Sequence, residues 1–297
     1  MVLVLTFHLL LIIEWNSVYI LTIIWEYEKL DEQHKDIKSK ISFPNNFSRF
    51  LGDKVFGLLI ANALKINVPY STVISRNVAP FSFGKNTGSY EKWIRTAPID
   101  KEAGLYFTGK GWVDPFKMIQ KEEKSGDKDI NIASIICQQS VNSLYSGAGI
   151  IRETAKNDII EGVPGNGDDF MIGVSKNINQ LPNIVNQEVR NKFNEIRKFR
   201  RLLGNLTVEW VYDGKKVWIV QLNQLKEGGL KNNVIVDGNN NTEYIDFYTK
   251  EGLNKLRSIV KNIDNKKQGI RLIGNIGITS HFGDLLRLHK IPSYIVQ

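Results

Sequence analysis

Glu209 and Gln221 stand twelve residues apart, on either side of an Asp213-Gly214 pair, in a stretch that alternates apolar and polar residues. Asp-Gly between two such runs is a hairpin signal, so residues 206–212 and 217–222 are expected to pair. Pairing brings Glu209 and Gln221 close together if their facing agrees. A carboxylate beside an amide oxygen is a hard donor pair suited to Mg²⁺, which takes few protein ligands and completes its shell with phosphate and water. The same two residues would also serve as an ordinary surface pair on an antiparallel hairpin. Lys54 sits in a Gly52-Asp53-Lys54 turn that opens a helical pattern. A mobile ammonium beside free helix amides suits a polyphosphate, although a lone surface lysine reads the same way. Arg95, in the mostly apolar run Trp93-Ile94-Arg95-Thr96-Ala97, needs an anion if buried: a phosphate or a structural carboxylate. Gly165-Asn166-Gly167 would let backbone amides approach a ligand, or simply make a turn.

The elements that must position these residues are mixed. Strand patterns cover 72–75, 92–96, 132–138, 147–152 and 158–162, besides the hairpin. Helical patterns cover 50–64 (Val55, Leu58, Leu59, Ala63) and 181–203, where Pro182 is tolerated in the first turn. Residues 26–40 read as an exposed charged helix, 77–89 as a loop and 122–129 as a charged loop. Lys226-Glu227-Gly228-Gly229 reads as a linker. Beyond it a helix at 250–260, a strand at 270–273 and a helix after Ser280 are expected. The fold class is therefore α/β, mixed α+β. Three parts are expected: an N-terminal segment over 1–45, a main domain over 46–227 and a small domain over 228–297.

Composition narrows the class. With 297 residues, 42% hydrophobic and 24% charged, the chain is of ordinary globular type and long enough for two domains. Cys137 is the one cysteine, so no internal disulfide forms, which fits a reducing compartment such as the cytoplasm. Its run Ile135-Ile136-Cys137 reads as buried. The net charge of +8 invites a polyanionic partner. The densest basic cluster, Arg197-Lys198-Phe199-Arg200-Arg201, falls on a helical stretch that a solvated face explains as well, and nucleic acid is not the expected partner. Residues 1–25 are largely apolar but lack the basic start of a signal peptide, and Glu14 and Asn16 interrupt a spanning length. Packed helices, or a strand and a helix, are expected there; membrane association through 1–25 is the alternative.

Val208-Glu209-Trp210, Asp213-Gly214 and Val217-Trp218-Ile219-Val220-Gln221 resemble the end of the nucleotide-binding domain of the phosphoenolpyruvate synthase and pyruvate phosphate dikinase family. The resemblance implies an ATP-grasp-like domain with Glu209 and Gln221 on the magnesium of Mg-ATP. Gly52-Asp53-Lys54-Val55-Phe56-Gly57 is similar to the family's L-G-G-K-G-A opening, which puts Lys54 on the phosphates. Trp93-Ile94-Arg95-Thr96-Ala97 resembles V-R-S-S-A, which puts Arg95 there too. Tyr106-Phe107-Thr108-Gly109-Lys110-Gly111 falls where the family has a loop over the phosphates, implying a role for Lys110. Ile135-Ile136-Cys137-Gln138 is similar to the segment whose glutamine marks the adenine pocket, here Gln138. Ile160-Glu161-Gly162 resembles I-E-A, implying Glu161 near the nucleotide. Gly277-Ile278-Thr279-Ser280-His281, followed by Leu285-Leu286-Arg287 and Ile291-Pro292, is similar to the phosphohistidine signature, with His281 as the phosphate-accepting residue of a small C-terminal domain. Thr279 or Ser280 can cap a helix, so His281 stands in a first turn, where amides and the helix dipole favour a phosphoryl anion. Phe282, Leu285 and Leu286 make the buried face and leave His281 turned away from it. The resemblance spans about 51–296 in seven ordered segments.

The resemblance implies ATP and Mg²⁺ as cofactors and release of AMP. The acceptor is then a small molecule, bound by this chain or by a separate one, because no length remains after the histidine motif for the family's barrel domain. One departure matters for rate: where the family has Q-A-R-P, this chain has Gln221-Leu222-Asn223-Gln224. An arginine that stabilises charge in flight becomes a neutral amide, and such a loss commonly costs orders of magnitude. Lys54, Arg95 or Lys110 could substitute. Two other readings stay open: an ATP-binding regulatory module, and a basic protein that binds nucleic acid or a membrane surface.

Overall fold

The computed structural model describes residues 9–15, 18–24, 41, 43–75, 78–99, 108–124, 131–167, 181–225 and 233–296. The expected helix at 26–40 and the expected boundary at 226–229 lie outside them. The apolar N-terminal stretch forms an antiparallel hairpin, β1 (Leu9–Trp15) with β2 (Val18–Ile24), rather than packed helices or a strand and a helix. Each run is seven residues of mainly Leu, Ile, Val, Thr and Tyr, short for a helix and rich in strand formers. Among the described residues no helix is long and apolar enough to cross a membrane.

A five-stranded antiparallel sheet comes next, built from β3 (Ser71–Ser75), β4 (Phe81–Phe83), β5 (Lys92–Pro98), β6 (Thr108–Lys110) and β7 (Ile132–Gln139) in the order β4-β3-β7-β5-β6. Strand β4 lies inside the expected loop at 77–89, where Phe81 and Phe83 pair along β3. Helix α3 (Pro115–Lys124) begins the expected loop at 122–129 and packs Met118 and Ile119 on Ile94, Ile132 and Ile135. Cys137 on β7 is half-buried rather than buried, and burial pushes its thiol up although the charge of Lys92 pulls it down.

The second sheet is also antiparallel: β8 (Tyr145–Ile151), β9 (Ile159–Pro164), β10 (Leu206–Tyr212) and β11 (Val217–Gln224), ordered β11-β10-β8-β9. On β10 the alternation is strict, with Leu206, Val208, Trp210 and Tyr212 buried and the residues between them half-exposed. The buried face meets α2 (Asp53–Ala63) and α4 (Asn183–Arg197), which bring Val55, Leu58, Val189 and Phe193 into the main core. Ahead of α2, the short α1 (Asn46–Leu51) starts at a capping box between Asn45 and Ser48. After α4, α5 (Arg200–Leu203) closes the helical stretch. In the basic cluster at 197–201, Arg197 pairs with Asp158, and Arg200 reaches Glu153 at 3.5 Å.

A third sheet holds β12 (Val234–Val236), β13 (Glu243–Tyr248), β14 (Gln268–Ile273) and β15 (Ser293–Val296) in the order β12-β15-β14-β13. Its three longer strands are parallel and β12 is antiparallel. Helices α6 (Leu253–Val260) and α7 (His281–Leu288) cover it with Leu256, Val260, Phe282, Leu285 and Leu286. Ile150 of the second sheet belongs to this second core. The second sheet is thus covered by α2 and α4 on one face and touches the C-terminal unit on the other.

The hairpin turn between β10 and β11 is tied by Asp213, whose carboxylate accepts from Lys215 N and Lys216 N, each at 2.8 Å, and from Trp218 Nε1 at 2.7 Å. Burial by itself raises this carboxyl, but the Trp218 bond, the two amides and the charge of Lys216 outweigh it and hold it below its ordinary value. A depressed folded value contributes stability that is present above the unfolded value of about 4 and lost as pH falls through the folded one. Asp213→Asn is expected to melt below wild type at neutral pH, and the gap should close below about pH 4. A gap that stays constant into acid would remove the carboxylate from this role.

Candidate functional site

Tyr212 pairs with Val217 and Trp210 with Ile219, and the register then shifts so that Glu209 lies directly across from Gln221. Without that extra residue Glu209 would face Val220. Gln221 would then follow Val217 and Ile219 into the core. The bulge at Val220 reverses the alternation, sending Leu222 inward and Gln221 and Asn223 outward. Glu209, Gln221, Thr207 and Asn223 therefore share the face of the sheet opposite α2 and α4. Bulges leave a backbone group unpaired, and here a guanidinium takes it: Arg95 Nη1 donates to Val220 O at 3.1 Å. Arg95 Nη2 donates to Glu209 Oε2 at 3.3 Å. Of the two anions foreseen for a buried Arg95, the structure contains a carboxylate.

Two clefts meet at Glu209. The larger encloses about 630 Å³, open mouth included, between the two antiparallel sheets. Trp93 and Arg95 of β5, Gln138 and Gln139 of β7, Ser146 and Gly147 of β8, Asn166 and Gly167 after β9, and Glu209, Trp210 and Val211 of β10 line it. The smaller spans about 280 Å³, open mouth included, and lies between the hairpin and the C-terminal unit. Glu209, Gln221 and Asn223 form one wall, and Thr279, Asp284 and Arg287 form the other.

The other expected site residues are distributed unevenly. Gln138 is buried in the larger cleft, with Nε2 donating to Ser71 Oγ at 3.4 Å. Lys54 lies in the first turn of α2 and lines neither cleft. Lys110 lies opposite Trp93 on the edge strand β6, ion-paired to Glu91 at 2.8 Å, and is not among the cleft-lining residues. Glu161, expected near the nucleotide, has partners within the chain. Its carboxylate accepts Ile278 N and Thr279 N, each at 2.9 Å, and Thr279 Oγ1 as well. It holds the loop that leads into α7 instead of facing either cleft. His281 opens α7 behind the cap Ser280. The ring is not simply turned outward: the residue is half-buried and Nδ1 is shielded from solvent. His281 lines neither cleft, whereas Thr279, Asp284 and Arg287 around it do. Asp284 and Arg287 are further functional candidates; Arg287 belongs to the phosphohistidine-like segment, which implied a role only for His281. The available signal was the three-residue spacing between Asp284 and Arg287, which puts them on one face of the helix that Ser280 caps.

The donor set bears on the metal. Among the described residues no three or more His, Cys, Asp or Glu side chains gather as a metal site. A carboxylate and an amide oxygen on one face are too few and too hard for zinc, but they fit Mg²⁺ that shares its shell with phosphate.

No described protein family matches the sequence, and no curated protein matches it. Solved structures similar to the chain include the D-alanine–D-alanine ligase from Bacillus anthracis complexed with ATP, at 10% identity over 59% of this chain and 55% of that one, TM-score 0.36. An L-amino acid ligase from Bacillus licheniformis matches at 10% identity over 62% and 42%, TM-score 0.36. The N5-carboxyaminoimidazole synthetase from Staphylococcus aureus complexed with ADP matches at 14% identity over 59% and 44%, TM-score 0.36. The chain spans about half the length of the solved chains it matches. At such TM-scores the overlap bears on neither the clefts nor their chemistry.

Proposed function

We propose that the chain is a Mg-ATP-dependent phosphotransferase of ATP-grasp type, with the unit up to 227 binding nucleotide and the unit from 228 carrying the acceptor histidine, His281. One observation carries the reading: Glu209 and Gln221, paired across the hairpin, line a cleft with Thr279, Asp284 and Arg287, which lie within six residues of His281. The reading assigns the base to the larger cleft beside Gln138, and the phosphates to Arg95, which lines the same cleft. Glu209 and Gln221 hold Mg²⁺, which when bound offsets the polyphosphate charge. Lys110 and Glu161 take no ligand here, since their partners are Glu91 and the 278–279 amides.

In the transfer step a nitrogen of His281 forms a bond to the β-phosphorus. The bridging bond to the α-phosphate breaks and AMP leaves with the bridging oxygen. The histidine then carries a pyrophosphoryl group, from which water removes the γ-phosphate as inorganic phosphate, leaving phosphohistidine. A covalent intermediate of this kind divides a difficult transfer into two easier ones. The final acceptor is a small molecule, bound by this chain or by another. A second reading, an ATP-binding module without turnover, has its own support: Asn223 is neutral where the resemblance expects an arginine, and His281 lines neither cleft.

ATP labelled at the β-phosphate separates them. With Mg²⁺, wild type should acquire acid-labile, alkali-stable label and release AMP, while His281→Ala acquires none. Equal labelling of the two proteins sinks the role of His281. A rise in melting temperature with Mg-ATP and no AMP supports the binding module.

A further inference from the structure

We propose that Arg287 is the anion-binding cation of the smaller cleft, replacing from the histidine-bearing helix the charge that Asn223 lacks. This rests on the phosphoryl-transfer reading for the identity of the anion, but not for the existence of the site.

The cations expected to compensate for Asn223 are in the wrong places. Lys110 is paired with Glu91 away from the clefts, Lys54 lines neither, and Arg95 is held by Glu209 and Val220 O. Arg287 lines the same cleft as Asn223, from the opposite wall. Its side chain is 8% exposed. A guanidinium in that position must find acceptors for its N–H groups, and its planar fork is built for two parallel bonds to an oxyanion. One half of that fork is used: Nη2 donates to Asp284 Oδ1 at 2.9 Å. Nη1 is shielded from solvent and meets no acceptor among the described residues. Leaving a charged donor in that state is costly, and a phosphoryl oxygen in the cleft relieves it.

The helix is shaped to hold this side chain. At Gly283, one turn before Arg287, an added Cβ would stand 3.2 Å from Arg287 Nη2 and 2.3 Å from Ile278 O. The missing side chain is the room in which the guanidinium lies along α7. Asp284 fixes it from the same helix, so the cation reaches the cleft with few rotamers left to lose. An ordered donor loses less on binding an anion than a free lysine would. The opposite wall offers Gln221 and Asn223 as neutral partners. Glu209 would repel an anion, but its charge is shared with Arg95 at 3.3 Å and, in the proposed complex, with the metal.

Inorganic pyrophosphate is the probe, titrated into the full chain with Mg²⁺ by calorimetry, with adenosine as a second ligand. Arg287→Met should weaken pyrophosphate about 10- to 100-fold, the range for one charge-assisted bond or bidentate pair, and leave adenosine unchanged. Arg287→Lys should recover only part of the loss, since a point charge lacks the fork. Asn223→Arg in the Arg287→Met background should restore binding, because the charge returns to the same cleft from the other wall. Equal pyrophosphate affinity in wild type and Arg287→Met overturns the proposal, as does failure of wild type to bind pyrophosphate. Arg287→Met that also loses adenosine, or melts well below wild type, shows a structural role and overturns it too. Failure of the transferase reading looks different: pyrophosphate binding tracks residue 287 as stated while His281 never becomes labelled.

Discussion

Gly57→Ala is expected to unseat α2 from β11 and to destabilise the chain by about 3 kcal/mol. The helix interior normally favours this change, since alanine gains up to about 1 kcal/mol over glycine in helix propensity. Packing reverses the sign. A Cβ on Gly57 would lie 1.8 Å from the carbonyl oxygen of Leu222 and 2.9 Å from its carbon. Both are backbone atoms of a strand paired with β10, so neither can rotate away as a side-chain tip could. The helix must lift, and Val55, Leu58 and Leu222 lose contact in the main core. At about 2–4 °C per kcal/mol for chains of this order, the melting temperature should fall by about 6–12 °C. The disturbance reaches function as well, because Gln221 and Asn223 flank Leu222 on the opposite face of β11. ATP-dependent stabilisation should weaken together with the fold. A variant that melts at or above the wild-type temperature would show that α2 does not rest on β11 at this distance.

How much of this was legible depends on the range over which each signal acts. The alternation of Leu206, Val208, Trp210 and Tyr212, with Asp213-Gly214 after it, is local, and the hairpin formed where it was expected. Strands β12, β13 and β15 escaped because they are three to six residues long and carry no clean alternation. The facing of Gln221 was left open, and alternation alone continued from Val217 would have turned it inward. The bulge that turns it outward is stabilised by Arg95, 125 residues earlier. Gln224 read only as a mismatch at the end of a motif. In the fold it ties three chain segments, accepting from Phe43 N at 2.9 Å and donating to Leu203 O at 2.7 Å and to Ile41 O. The partners of Glu161 were hidden for the same reason of range, since they lie 117 and 118 residues away. Chemistry-bearing residue types were recognisable in sequence, but their partners were decided by tertiary contacts that no local pattern encodes.

Glu161→Ala should release the loop that delivers α7 to the smaller cleft. Its carboxylate accepts two backbone amides at 2.9 Å and the Thr279 hydroxyl. Ile278 and Thr279 are only 3% and 5% exposed, so water cannot replace the lost acceptor without opening the loop. Hydrogen bonds to a charged group contribute about 1.5–3 kcal/mol each and are not additive, which puts the local cost at about 3 kcal/mol or more. Glu161→Gln should fall between, because one oxygen remains to accept while the new NH₂ faces a donor. Amide exchange at Ile278 and Thr279 reads the effect directly: protection should collapse by about 100-fold in Glu161→Ala, with little change on β10. On the proposed function, labelling of His281 should fall in parallel, since the loop that leads into α7 has lost its anchor. If Glu161→Ala instead abolishes ATP-dependent stabilisation while both amides stay protected, the carboxylate belongs to the nucleotide and not to the loop.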